Sequence, residues 1–282
     1  MVTDILTSLN LKPLLPRGWD IRFSPRFLTY TPSFEIEIET PKYLLKSASK
    51  MHELLNVFEL RYQIFLENTK DGAREDGYDV DALDSICDHI IIIDKESSNV
   101  VGTYRVISSL FSDHFYSQGE FELSEFLKLP GEKMELGRAC IHHGHRNGAV
   151  IDLLWKGICR YLKMSDARYL FGCSSVKTVD VDTSKVIYDY LKEENLLKNE
   201  YNIHSIGKYA MDMTGPVQQI DANERQSIVK SYLPSLLRSY FAAGSRVYGP
   251  PAIDREFECI DFLTILHTDD MSASYKRRYM NN

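Results

Sequence analysis

"EKMELGRACI", Glu132–Ile141, reads as a buried strand, yet it carries a carboxylate, a glycine and a guanidinium within four positions: Glu135, Gly137 and Arg138. A strand alternates its faces, so side chains three apart normally point to opposite sides. Glycine inside a strand marks a bulge or a close backbone approach. A bulge at Gly137 would reset the alternation, put Glu135 and Arg138 on one side, and turn backbone N–H groups away from the ladder towards a ligand oxygen. The plainer reading of the same residues is a buried ion pair holding the sheet.

Outward from this strand, the pattern alternates between strand and helix. "HIIIID" and "VVGTYRVIS" flank the polar turn "KESSN", a hairpin signal. "RYLFGCSSV" and "EFECIDFLTILH" are further strands, and "SFEIEIET" is an alternating one. Residues 48–67 have a helical stripe of Leu54, Phe58, Tyr62 and Phe65, with Arg61 on the same side. After "HHGHRNG" comes a strong amphipathic helix. Val150, Leu153, Leu154, Gly157, Ile158, Tyr161 and Leu162 form its apolar face, and Lys156, Arg160 and Lys163 lie towards the other. "DTSKVIYDYLKEENLL" is a helix with Asp182 or Thr183 as N-cap, and "LPSLLRSYFAAG" one that stops at Gly244. The order predicts an α/β fold, a single mixed central sheet flanked by helices. The expected organisation is an irregular extension over 1–41, one domain over 42–267 and a basic polar tail over 268–282.

The bulk numbers narrow the function classes. The 282 residues carry a net charge of −7, 44% are hydrophobic and 26% charged. An acidic chain without basic runs argues against nucleic acid as a partner. Five scattered cysteines, without zinc spacing, read as reduced thiols and small buried hydrophobes. No segment reaches the roughly 20 apolar residues of a membrane span. The first twenty residues lack the pattern of a secretory signal, so the expected location is cytoplasmic. Peripheral contact with the inner face of the membrane stays open. Lys12, Arg17, Arg22 and Arg26, interleaved with Trp19, Phe23 and Phe27, would suit an anionic lipid surface, as would "YKRRYM" in the tail.

The strand's exit is the second chemical clue. Arg146, Asn147 and Gly148 stand where the loop after Ile141 meets a helix N-terminus, which offers free N–H groups and a favourable dipole to an anion. A carboxylate on a strand followed by such a loop resembles the GNAT acyltransferase superfamily. Its loop reads Arg/Gln-x-x-Gly-x-Gly/Ala; here it is Arg146-Asn147-Gly148-Ala149-Val150-Ile151, in which the arginine fits and the later glycines are absent. "LRYQIFLEN", "CDHIIIID", "VVGTYRV", "ELGRACI", "LLWKGICRYL", "FGCSSV", "PSLLRSYFAAGSRVYGPPAIDREF" and "DFLTIL" follow in the order of bacterial ornithine-acyl-carrier-protein N-acyltransferases. That family includes relatives labelled hemolysins and other N-acyl amino acid synthases. The resemblance covers residues 42 to 267. More distantly, Arg61, Phe65, Asp88, Arg105, Glu135 and Arg138 resemble the pattern of acyl-homoserine-lactone synthases.

The resemblance implies transfer of a (3-hydroxy)fatty acyl group from acyl carrier protein to the α-amine of an amino acid, ornithine first among them. Glycine, glutamine and lysine remain alternatives, as does a non-catalytic lipid-binding protein. It implies Glu135 as base, with Arg138, Arg61, Arg105 and Asp88 completing the catalytic set. Arg146, Asn147, Gly148, Cys140 and Ile141 would meet the phosphopantetheine, and Lys156, Arg160 and Lys163 would dock the carrier protein. No cofactor and no metal is expected. The acidic stretch Glu75, Asp76, Asp79, Asp81, Asp84 and Asp88 lacks calcium-loop spacing. His142, His143 and His145 read as polar contacts to the ligand, and Cys140 is a rival nucleophile.

Overall fold

The computed structural model describes residues 27, 29–69, 76–214 and 220–280, so the N-terminal basic and aromatic positions before Phe27, and Glu75, lie outside the described residues. The architecture is mixed α/β. Its principal strands are β1 (Glu37–Glu39), β2 (Tyr43–Ser47), β3 (Asp88–Asp94), β4 (Val100–Ser108), β5 (Glu132–Ile141), β6 (Ala167–Val176), β7 (Leu197–Lys198), β8 (Arg246–Tyr248), β9 (Ala252–Asp254) and β10 (Cys259–His267). They form one mixed sheet in the order β1-β2-β3-β4-β5-β6-β10-β8-β7, with β9 on β10. The helices are α1 (Met51–Phe65), the one-turn α2 (Ser124–Leu127), α3 (Gly148–Ser165), α4 (Val181–Glu193), α5 (Ala222–Tyr232) and α6 (Ser235–Ala243).

The chain divides into two compact units, each discontinuous in sequence. The first holds the described residues of Met1–Glu67, Arg74–Arg105 and Arg138–Gly157. There β2 pairs antiparallel with β1 and with β3, and the Ile90–Ile92 run is fully buried, as an unbroken apolar strand demands. Helix α1 buries Leu54, Val57, Phe58 and Leu60 against Ile91 and Val100. Its start is tied down by Glu53, whose carboxylate accepts the N–H of Ser49 and Lys50 and the Lys46 ammonium. Gly157 lets α3 approach β2: a Cβ there would stand 2.7 Å from Leu45 Cδ1.

The second unit holds Asn68–Ala73, Val106–Gly137 and Ile158–Asn282, again as far as these are described. Strands β5 and β6 pair parallel with the register Glu132↔Ala167 to Glu135↔Phe171, and β6 pairs antiparallel with β10 along its length. Ile187, Leu191, Val229, Leu233 and Leu237 from α4, α5 and α6 pack on Ile260, Phe262 and Val247 of β10 and β8. Helix α6 ends where expected, at Gly244 with φ 116°. The N-cap of α4 differs from the expectation: Asp180, not Asp182 or Thr183, accepts the N–H of Thr183. In the tail, Met271 and Tyr279 are buried.

The β5–β6 register shifts between Glu132 and Lys133, and the backbone departs from strand geometry next to Gly137. Arg138, not the glycine, takes the left-handed backbone, with φ 49°. A further glycine, Gly172 on β6, sets the close approach: a Cβ there would stand 2.2 Å from the carbonyl oxygen of Leu136. One backbone must move to admit it. Gly172→Ala should therefore lower unfolding free energy by about 3 kcal/mol or more, read as a fall in the urea midpoint at unchanged slope. A midpoint within error of wild type would contradict this close approach.

Candidate active site

In the first unit the arginines and the aspartates of the acidic stretch form one network. Arg61 on α1 is fully buried. Its guanidinium grips Asp84 with both terminal nitrogens, at 2.7 and 3.1 Å, and gives Nε to Asp79 at 2.9 Å. Arg105 on β4, also buried, donates to Asp81 at 2.7 Å and to Asp84 at 3.2 Å. Arg138 on β5 lies 3.1 Å from Asp79 and 3.5 Å from Asp81. Three guanidiniums thus meet three carboxylates, and the fork geometry is the one arginine offers a buried carboxylate. The acidic stretch folds to permit it. Asp81 caps the short helix Ala82–Ser85 by accepting the N–H of Leu83, and its own N–H goes to Asp84. Burial would raise Asp79, but the Arg138 and Arg61 guanidiniums outweigh it and hold the carboxyl below its usual range.

The geometry gives three of the expected catalytic residues partners within the chain. Arg61 and Arg105 are buried against aspartates of the acidic stretch, so they hold that stretch. Asp88, buried at the start of β3, accepts the backbone N–H of Ser33 and Phe34 and anchors that segment. Arg138 is the most exposed of the three arginines, at 12% of its side chain.

Glu135 is held in the second unit. It is 2% exposed and accepts the backbone N–H of Tyr116 at 2.6 Å and of Ser117 at 2.7 Å, together with the Ser117 hydroxyl. Tyr116 and Ser117 open the short helix Tyr116–Gly119. Ser117 Oγ also lies 3.3 Å from Cys173 Sγ on β6, and that thiol lies 3.5 Å from Glu120 Oε2. Glu120, Asp254 and Asp261 bring one carboxylate oxygen each within 4.8 Å of one another. Burial, then the two aspartates, push the Glu120 carboxyl up to about 9. The sequence reading missed Ser117, Cys173 and these three carboxylates. Its one available signal was Asp261, a lone charge inside the apolar run of β10.

At the exit of β5, Asn147 caps α3: its Oδ1 accepts the N–H of Ala149 and of Val150, both at 3.1 Å. Arg146 Nε donates to the carbonyl of Ile141 at 3.2 Å. A Cβ on Gly148 would meet nothing within 4 Å, so this glycine leaves open space beside the loop. Cys140 differs from its expected place. Its side chain is 5% exposed and packs in the apolar core of the first unit. Burial pushes its thiol up to about 12, which disfavours the thiolate at neutral pH. Tyr43 and His145 Nδ1 share a hydrogen bond, and His142 Nδ1 accepts the N–H of Gly144. Among the described residues, His142, His143 and His145 do not converge on a common point.

Residues 60–156 match the family model described as an acetyltransferase (GNAT) domain. The chain is similar to an L-ornithine N(alpha)-acyltransferase of Agrobacterium fabrum, 28% identical over 236 residues, covering 78% of this chain and 79% of that protein. It is also similar to one of Rhodobacter capsulatus, 25% identical over 249 residues, covering 84% and 94%. Among solved structures it resembles the acyl-homoserine-lactone synthase LasI, with a TM-score of 0.47 and 12% identity, covering 87% of this chain and 95% of that one. The match over residues 60–156 and the two ornithine acyltransferase relatives support an acyltransferase. No described helix is long and apolar enough to cross a membrane.

His89 on β3 lies beside the arginine–aspartate network. Its Nε2 is 3.1 Å from the carbonyl oxygen of Asp84, so Nε2 carries the proton and donates it. Its Nδ1 is buried without a hydrogen-bond partner among the described residues. Burial therefore lowers its pKa to about 4, despite the pull of Asp84. The unfolded chain binds this proton first, so the stability His89 contributes above pH ~6.5 is lost as pH falls towards 4. Between pH 7 and pH 5 the unfolding free energy of wild type should fall by about 2 kcal/mol more than that of His89→Asn. An equal loss of unfolding free energy in the two proteins between pH 7 and pH 5, read from urea titrations, would show that His89 is not held neutral.

Proposed function

We propose that this chain moves a (3-hydroxy)fatty acyl group from the thioester of acyl carrier protein to the α-amine of ornithine, giving a lyso-ornithine lipid. The observation that carries the substrate is the shared name of the relatives, L-ornithine N(alpha)-acyltransferase, over about four-fifths of the chain. The chemistry needs an amine freed of its proton, a group to receive that proton and a donor set for the tetrahedral oxyanion. Glu135 is the proposed proton acceptor. Its oxygens already accept from Tyr116 and Ser117, so the proton reaches it through the Ser117 hydroxyl or a bridging water. Arg138, the partly exposed arginine, is proposed for the acceptor's α-carboxylate. Backbone N–H groups at its left-handed turn are proposed for the oxyanion. Arg146, Asn147, Gly148 and Ile141 are proposed to lie against the phosphopantetheine. The reading asks for no cofactor and no metal in the chemical step.

Purified protein should release carrier-protein thiol from 3-hydroxyacyl carrier protein in proportion to added ornithine, with N-acyl-ornithine appearing by mass spectrometry. Glu135→Gln should reduce turnover by about a hundredfold or more near neutral pH, in line with the loss of a general base, while its melting temperature stays within a few degrees of wild type. Turnover within a few-fold of wild type would end the role of Glu135 as base. A matching collapse of melting temperature would make it a structural clamp on the Tyr116–Gly119 turn.

The donor carries its own test. Acyl carrier proteins are acidic and this chain carries −7, so docking requires a local basic face. On α3, Arg160 and Lys163 are exposed, and Lys156 is 42% exposed in an ion pair with Asp152. Reversing all three to Glu should raise KM for the acyl carrier protein and leave KM for ornithine unchanged. The defect should shrink with salt, because charges on the surface are screened over about 10 Å at 0.1 M. Unchanged carrier kinetics, or equal use of acyl-coenzyme A by wild type, would refute docking on this face.

A further inference from the structure

Glu120, Asp254 and Asp261 have no part in the acyl transfer proposed above. They come from three places in the second unit: the end of the turn after β4, the end of β9 and the first part of β10. All three are between 1% and 3% exposed. Local structure fixes two of them. Asp254 Oδ1 accepts the N–H of Glu256 at 2.8 Å and of Phe257 at 3.1 Å. Asp261 Oδ1 accepts the Ser175 hydroxyl at 2.6 Å, and its Oδ2 lies 3.5 Å from the Cys259 thiol. Glu120 takes the Cys173 thiol on Oε2 and a hydrogen bond from the Tyr116 side chain. Its other oxygen, Oε1, is buried with no hydrogen-bond partner among the described residues.

An orphaned carboxylate oxygen in a buried site is unfavourable, and a bound ion is one of the few explanations for it. The spacing fits an ion. Oxygen ligands at roughly 2.0–2.6 Å from a Mg2+ or Ca2+ centre can stand no more than about 5 Å apart, and the three oxygens here lie within 4.8 Å of one another. An all-oxygen donor set selects a hard cation over zinc or copper. The depth of burial calls for an occupant of ionic size.

We propose that Glu120, Asp254 and Asp261 hold one hard divalent cation of the Mg2+, Mn2+ or Ca2+ class, which ties the β9–β10 hairpin to the turn that carries Ser117. Ser117 Oγ contacts both Cys173 and Glu135, so the cation would also steady the turn on which Glu135 rests. The site stands independently of the acyl transfer, because binding and melting read it directly.

Protein prepared without chelator should contain about one equivalent of a divalent metal by elemental analysis, or take it up from micromolar Mg2+, Mn2+ or Ca2+ after chelation. The chelated protein should melt about 4 °C or more below the metal-loaded one, with a saturable return. Glu120→Gln and Asp254→Asn should each abolish that return, and Asp152→Asn, on α3, should keep it. Bound Mn2+ gives a second readout through its electron paramagnetic resonance spectrum, usable even where a variant folds poorly. The proposal is overturned if no divalent metal is retained or taken up, or if the metal shift persists in Glu120→Gln. It is also overturned if ornithine or putrescine, but no metal, raises the melting temperature in a Glu120-dependent way. That result would give the carboxylates to an organic ammonium.

Discussion

The fork between Arg61 and Asp84 is the interaction on which the first unit depends. Both side chains are wholly buried, and removing two such charges from water is expensive unless geometry and further hydrogen bonds compensate. Compensation here extends outward in steps. Asp84 also receives Arg105 and the N–H of Asp81; Arg61 also holds Asp79; Asp79 and Asp81 in turn receive Arg138. No member can be removed without leaving another buried charge short of its partner. The network therefore specifies one path for Asp79, Asp81 and Asp84 ahead of β3. A stretch of the same charge without the arginines would extend into water by self-repulsion.

That constraint separates the two charges of β5. Glu135 and Arg138 are three residues apart on one strand, and the expectation was that they would serve each other. In the structure Arg138 belongs to the aspartate network, and Glu135 is held at the opening of the Tyr116–Gly119 turn. The left-handed backbone of Arg138 is the local change that accompanies this division. A carboxylate gripped by backbone N–H groups is fixed in position more firmly than one gripped by a flexible guanidinium. Such fixity suits a group proposed to receive a proton from a substrate placed by other residues.

How much of this was legible depends on the range of each interaction. The hairpin around Lys95–Asn99, the amphipathic α3 and the stop at Gly244 rest on local periodicity and turn chemistry, and were readable from neighbouring residues. So was the burial of Arg61 on an apolar stripe with acidic residues downstream. The partners of Glu135 were not, because Ser117 lies in a polar segment whose sequence says nothing about where its N–H groups aim. The close approach of Leu136 and Gly172 was half legible: the glycine noticed was Gly137, while the one that the backbone contact requires sits on the neighbouring strand. Asp254 and Asp261 were invisible as a pair, since only the β9–β10 register brings them together.

The loop after β5 links the fold to the choice of donor. A helix N-terminus offers orphan N–H groups, and in a glycine-rich loop these remain free to surround a pyrophosphate. Here Asn147 takes two of them, those of Ala149 and Val150. The residues that replace the family's later glycines thus coincide with a capped helix. Coenzyme A presents a pyrophosphate and a further ribose phosphate, and would need those donors. Phosphopantetheine on a carrier protein presents a single phosphate, for which the remaining first-turn groups and Arg146 are the proposed donors. In that reading part of the donor's affinity moves from the loop to the carrier's own surface, and the exposed basic residues of α3 become the natural place to meet it.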